Sequence, residues 1–213
     1  MRELRHEFHQ QLVAANEKVI ELFGLIPADL NLATDGLLNG NAEVLKVVNE
    51  REEAIDSIYV ELERFANEQL ALQGPVADDL RLLLSVLRVV PEIERSHDLV
   101  VLIAEHATHS LHESMSKRTR GLVVQMCATA VEMWQAVAVA WKERDPAVPY
   151  EIDDRNHVMD GLHATLMAEL ASGTMPLAVT MDMTLVARFY ERLGAHAVNV
   201  ARRVVFLSGR EDG

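Results

Sequence analysis

Glu94-Arg95-Ser96-His97-Asp98-Leu99-Val100-Val101-Leu102-Ile103-Ala104 returns, loosened, as Glu191-Arg192-Leu193-Gly194-Ala195-His196-Ala197-Val198-Asn199-Val200-Ala201. The shift is 97 residues, and it lays Glu94-Arg95 on Glu191-Arg192, Val101 on Val198, Ile103 on Val200 and Ala104 on Ala201. Upstream a shift of 104 lays Asn41-Ala42 on Asp145-Pro146, Ile55 on Met159 and Asp56 on Asp160. The offsets differ by 7 residues, about two helical turns, so the second copy has a shorter hairpin at Ser172-Gly173. Self-similarity at one spacing over a whole chain marks a duplicated supersecondary unit.

The unit is helical. Val76, Leu80, Leu83, Leu84, Leu87 and Val90 follow the i, i+3, i+4, i+7 spacing, as do Val44, Val48, Ile55, Tyr59 and Leu62. Gly40-Asn41, Gly74-Pro75, the stretch 110–116, Asp145-Pro146 and Ser172-Gly173 punctuate the chain. They predict helices over 3–38, 41–73, 76–109, 115–143, 146–172 and 175–208. Asn41 reads as an N-cap, Pro75 as a first-turn proline ahead of Asp78 and Asp79, and Pro27 and Pro91 as sites for kinks. Long helices with short connections pack antiparallel. The expected fold is all-α: six long helices forming two repeated antiparallel three-helix bundles, residues 1–109 and 110–213.

Composition agrees. Of 213 residues, 49% are hydrophobic and only 5% aromatic, with 10 glycines and 6 prolines, too few turn residues for a sandwich or a doubly wound sheet. A net charge of −13 argues against nucleic acid and against a polybasic membrane anchor. Residues 1–108 carry a balance of −11 and residues 109–213 only −2, which directs a search for bound cations to the first half. Cys127 is the only cysteine, so neither an intrachain disulfide nor a Cys-rich metal site can form. The charged start Met1-Arg2-Glu3-Leu4-Arg5-His6-Glu7 lacks a signal-peptide core, and no apolar run is expected to approach the ~18 residues of a membrane span. A soluble cytoplasmic protein is expected.

Four acids stand out: Glu52 and Asp56 on the second helix, Glu94 and Asp98 on the third. Each pair is spaced i, i+4, so both carboxylates share one face. Projection puts Glu94 and Asp98 in the stripe of Leu80, Leu87 and Val101, and Glu52 and Asp56 on the flank of Val48, Ile55 and Tyr59. Carboxylates on an apolar stripe need a partner, either Arg95 or a metal ion. All-oxygen ligands suit hard cations such as Mg²⁺, Mn²⁺ or iron. In the second copy Glu52 becomes Asn156 and Asp98 becomes Ala195, while Asp160 and Glu191 remain, so that copy should bind metal weakly or not at all. Glu3/Glu7 and Glu17/Glu21 have the same spacing and read as solvated faces.

Arg51-Glu52-Glu53-Ala54-Ile55-Asp56, Gly74-Pro75-Val76-Ala77-Asp78-Asp79-Leu80-Arg81, Glu94-Arg95-Ser96-His97-Asp98 and their counterparts in 187–201 resemble the PhoU family of bacterial phosphate uptake regulators. The likeness covers essentially the whole chain. It departs at Ser96-His97, where the family usually has a glycine, at Asn156 and at Ala195. The resemblance implies a cytoplasmic, often dimeric adaptor, not an enzyme, that negatively regulates phosphate uptake and phosphate-starvation signalling. Its implied partners are the phosphate transporter's ATPase subunit and a phosphate-sensing histidine kinase, with membrane association only through them. It implies iron, zinc, manganese or magnesium at Glu52, Asp56, Glu94 and Asp98, and more weakly at Asp160 and Glu191.

Two alternatives remain at the level of sequence. One is a ferritin-type di-metal carboxylate enzyme, for which Glu94-Arg95-Ser96-His97 supplies one Glu-x-x-His motif and Glu191-Arg192-Leu193-Gly194 fails to supply the second. The other is a metal-free helical scaffold. No nucleophile triad, P-loop or dinucleotide fingerprint is present, so neither catalytic nor organic-cofactor residues are assigned. His106, His109 and His112 read as surface or cap residues, Trp134 and Trp141 as core or interface, and Cys127 as a small buried hydrophobe. Arg188 and Arg192 read as ion-pair partners of Glu191.

Overall fold

The computed structural model describes residues 2–209, with side chains from His6 onward. Six α-helices account for nearly all of it: α1 Arg2–Asn39, α2 Val44–Gln73, α3 Ala77–His106, α4 Lys117–Glu143, α5 Val148–Ala171 and α6 Leu177–Ser208. Two 3₁₀ turns, Ala107–His109 and Leu111–Glu113, join the repeats through Ser110 in the left-handed region. No strand occurs among the described residues. The second hairpin is shorter, as the offsets require: α2 has 30 residues and α5 has 24.

Local chemistry sets the helix ends, with some differences from expectation. Gly74 closes α2 in the left-handed conformation, and Ser116 Oγ caps α4 by accepting from Thr119 N at 3.0 Å. Asn41 does not cap α2. Its Oδ1 accepts from Glu43 N in a short turn, as Asp145 Oδ1 does from Ala147 N, and each helix starts a few residues later. Pro75 lies before the α3 N-cap Val76 rather than in the first turn. Helices α1 and α3 run unbroken through Pro27 and Pro91.

The buried face of α3 also differs from the projected stripe. Leu83, Val86, Val90, Ile93, Val100 and Ile103 are buried, whereas Leu80, Leu87 and Val101 are half-buried. The reason is that α3 packs against α1, α2 and α6 at once, so its covered arc is wide and centred between them. Glu94 and Asp98 therefore lie on the flank, and the positions within the covered arc are Ser96 and His97.

The core divides by level along the bundle, not by repeat. One apolar cluster takes the first half of α1, the ends of α2 and α4, the start of α3 and the end of α6. The other takes the second half of α1, the end of α3, and the first halves of α4 and α6. Each draws side chains from both copies, and α3 packs on α6 as extensively as on α2. Between the clusters lies a polar level. On α1 it falls between Ile26 and Leu30, on α2 between Val48 and Ile55, on α3 between Ile93 and Leu99, and on α5 between Ile152 and Met159.

Helix α4, 27 residues long, is long and apolar enough by composition to cross a membrane, contrary to expectation. Half of its most apolar window is covered by the protein, and Met126, Ala130, Met133, Trp134 and Val137 are fully buried. Apolarity on α4 comes from core packing. Trp134 Nε1 donates to Leu193 O at 3.2 Å and Trp141 Nε1 to Asn16 Oδ1 at 3.0 Å, each indole finding the partner burial demands. Cys127 is buried and free.

Candidate functional site

The polar level contains the site. Asp29 on α1 and His97 on α3 are both wholly buried. The His97 Nε2 lies 3.0 Å from Asp29 Oδ2, and its Nδ1 is hydrogen-bonded to Glu52 Oε2 on α2. Arg51, also on α2, donates to the other oxygen of Asp29. A buried carboxylate is tolerable only when paired, and Asp29 has two partners from two helices. The i+3 spacing from Ile26 puts Asp29 on the apolar stripe of α1, the sign of its burial in the sequence.

Glu52 is also one of the four predicted acids, and Asp56, Glu94 and Asp98 lie outward of it. Glu52 is half-buried and shares a hydrogen bond with Asp98. Burial raises its pKa, but hydrogen bonds from His97 and Asp98 outweigh that and leave it lowered. Asp98 is pushed up to about 7, first by desolvation, then by its bond to Glu52 and the charges of Glu94, Glu52 and Asp56. Glu94 is raised by burial and by Asp56. Asp56 is exposed at the edge. The negative charges of Glu52, Asp56 and Glu94 thus crowd Asp98, and a cation there would relieve that crowding. An all-oxygen donor set of Glu52, Asp56, Glu94 and Asp98 would suit a hard cation, but among the described residues no three of them bring ligand atoms within 4.8 Å of one another. Arg95 makes its ion pair with Glu92 at 3.5 Å and acts on Glu94 only as a nearby charge, too weak to offset burial and Asp56.

The second copy offers less. Asp160 is exposed, and Glu191 is paired with Arg188 at 2.5 Å. Among the described residues, no hydrogen bond or ion pair joins Asp160 to Glu191. Gly194 stands where the first copy has His97, and a Cβ there would come within 2.9 Å of Asn156 Oδ1, 3.5 Å of Met159 Cγ and 3.6 Å of Met133 Cε. The shifts of 97 and 104 pair His97 with Gly194, Glu52 with Asn156 and Asp29 with Met133. One copy fills this level with a histidine between carboxylates, and the other closes it with glycine and methionine. Both nitrogens of His97 are engaged, so Glu94-Arg95-Ser96-His97 has no free ring nitrogen for a ferritin-type di-metal centre.

The two copies also meet at this level. Glu92 on α3 receives His196 Nδ1 at 2.7 Å and Asn199 Nδ2 at 3.1 Å from α6, and these contacts lower its pKa despite burial. Neither His196 nor Asn199 was expected as a partner, because pairing across copies leaves no spacing in the sequence.

The family model described as the PhoU domain matches the chain twice, over residues 19–107 and 123–204. The chain belongs to the PhoU family. The PhoU match takes in Asp29, Glu52, Asp56, Glu94, His97 and Asp98 in its first span and Asn156, Asp160, Glu191 and Gly194 in its second. Relatives include the phosphate-specific transport system accessory protein PhoU homolog 2 of Mycobacterium tuberculosis, 33% identical over 95% of this chain and 97% of its own length. PhoU homolog 1 of Mycobacterium leprae is also 33% identical, over 95% and 93%. The PhoU crystal structure from Pseudomonas aeruginosa superposes with a TM-score of 0.87 at 24% identity, over 94% of this chain and 98% of that one. That from Streptococcus pneumoniae gives 0.84 at 19%, over 94% and 96%. Both share the all-α fold. PhoU proteins are named as accessory or regulatory proteins, not as enzymes.

Proposed function

We propose that this protein is a cytoplasmic, non-catalytic regulator that restrains phosphate uptake and phosphate-starvation signalling. It acts by docking on the transporter's ATPase subunit and on a phosphate-sensing histidine kinase, reaching the membrane only through them. The observation that carries the reading is its likeness, along 95% of its length, to proteins named as phosphate-specific transport system accessory proteins. The crowded carboxylates support a bound cation. Iron, zinc, manganese or magnesium sits at Glu52, Asp56, Glu94 and Asp98, where charge crowding raises Asp98 and Glu94. Asp160 and Glu191 hold a cation weakly, because Asn156 and Ala195 remove half of the second donor set.

The acidic surface of the first half favours basic partner surfaces, so association slows as salt rises. The active form is a homodimer. The test combines a pull-down against the ATPase subunit and the sensor kinase with phosphate-uptake assays in a deletion strain. Binding to neither partner together with unchanged uptake on deletion overturns the proposal.

A further inference from the structure

His106, His109 and His112 recur every three residues where α3 passes into the first 3₁₀ turn, and the structure separates them. His112 turns away and packs against Gly40, where a Cβ would lie 2.1 Å from its Cε1. His106 and His109 face Asp182 on α6, with ring centroids 5.1 Å apart. His106 Nδ1 lies 2.7 Å from Leu102 O. A carbonyl only accepts, so Nδ1 carries the proton and Nε2 is the nitrogen presented to α6. It lies 3.9 Å from Asp182 Oδ1, beyond hydrogen-bond reach, while His109 Nδ1 lies 3.3 Å from Oδ2. The three ligand atoms all fall within 4.8 Å of one another.

The geometry points to a mononuclear site for a divalent cation of the zinc class, held by His106 Nε2, His109 Nδ1 and a carboxylate oxygen of Asp182, with one outward position open to water. Ligand atoms at about 2.0–2.2 Å on a tetrahedral ion stand about 3.3–3.5 Å apart. His109 Nδ1 already stands at that separation from Asp182 Oδ2, while His106 Nε2 stands 3.9 Å from the other oxygen, Oδ1, so a small rotation of the Asp182 carboxylate and the His106 ring brings one oxygen into reach of both. The Nδ1–H to Leu102 carbonyl bond is the outer contact that fixes tautomer and ring orientation in metal-ligating histidines. Phe189 packs edge-on to the His106 ring at 5.7 Å and holds it from the other side. Exposure grades outward, with His106 at 9%, Asp182 at 29% and His109 at 48% by side chain, so the open position faces solvent.

The repeat-related positions carry different chemistry. A shift of 97 carries Ser85, His106 and His109 to Asp182, Arg203 and Phe206. At the other end of the α3/α6 pair the related positions are thus Ser85, Arg203 and Phe206, where Arg203 lies 5.4 Å over the Phe206 ring. That end satisfies its cation with an aromatic ring. This end places two imidazoles and a carboxylate together and has no Lys or Arg paired with Asp182 among the described residues. Two imidazoles and one carboxylate prefer Zn²⁺, Co²⁺, Ni²⁺ or Cu²⁺ over the hard cations suited to the all-oxygen cluster. An ion here would tie the connector between repeats to the last helix, a contact independent of Glu52, Asp56, Glu94 and Asp98.

The test uses the full chain, produced without a histidine tag and stripped with chelator, titrated with Co²⁺ and Zn²⁺. Tetrahedral Co²⁺ with imidazole ligands absorbs strongly in the visible, whereas octahedral all-oxygen Co²⁺ barely does. The unaltered chain should bind one Co²⁺ with the tetrahedral band. His109→Ala and Asp182→Asn, both at accessible positions, should each lose the band and weaken Zn²⁺ binding at least ~10-fold. The Glu94→Ala, Asp98→Ala double variant should keep it. No tetrahedral band in the unaltered chain, a band unchanged in both His109→Ala and Asp182→Asn, or a band lost only with the α3 acids would each overturn the site.

Discussion

His97 and Asp29 meet at 3.0 Å with neither side chain reaching solvent, at the level where the two apolar clusters of the bundle part. Arg51 and Glu52 complete the contact from α2, so three helices of the first repeat are fixed against one another by charge at a level without apolar packing.

Removing one member should be costly. His97→Ala leaves Asp29 buried with Arg51 alone and should destabilise the fold by about 3 kcal/mol, the lower end of the range for breaking a buried pair. Asp29→Met combined with His97→Gly copies the second repeat and should cost clearly less than the two single changes added together. Denaturant unfolding of the four proteins of the cycle measures this, and strict additivity would contradict the coupling.

The acidic cluster makes the cation-free protein pH-sensitive. Asp98 rises from 3.8 to about 7 in the folded state, so the folded form binds the extra proton across that window. Its contribution to stability is therefore fully present below pH 3.8 and lost as pH rises through about 7. Glu52 and Glu92 are lowered and work in the opposite sense at acidic pH. Asp98→Asn should flatten the loss between pH 3.8 and about 7 in thermal unfolding without cation; an unchanged slope would show that crowding at Asp98 is not its source.

In a His109→Ala background, Glu94→Ala with Asp98→Ala should abolish cation retention at the acids of α2 and α3, while Asp160→Ala should change it little. Elemental analysis of protein purified without chelator reads both. Equal loss from Asp160→Ala would mean that the second repeat carries the ion.

Gly194 and Gly161 should respond oppositely to alanine. A Cβ at Gly194 meets Asn156 Oδ1 at 2.9 Å, so Gly194→Ala should destabilise by about 1–2 kcal/mol and be partly rescued by Asn156→Ala. Nothing lies within 4 Å of a Cβ at Gly161, so Gly161→Ala should stabilise α5 by about 0.5–1 kcal/mol through helix propensity alone. Midpoints of urea unfolding compare the two directly.

What the sequence determined by itself was periodic. Helical spacing, sparse punctuation and the offsets of 97 and 104 are properties of order along the chain, and they specified six helices, their duplication and the two i, i+4 acid pairs. Glu52, Asp56, Glu94 and Asp98 were legible because a helix converts a spacing of four into a shared face. Tertiary structure decided what helices meet. Asp29 belongs to the site because α1 lies against α3, which no spacing between residues 29 and 97 encodes. The centre of the buried arc of α3 moved from Glu94 to Ser96 and His97 because three helices cover it rather than one. Asp182 reached His106 and His109 through antiparallel packing of α3 on α6, and the core divided by level rather than by repeat for the same reason. Periodicity fixes the direction of a side chain about its own helix axis; its partners depend on how separate helices pack, where distance along the chain carries no information.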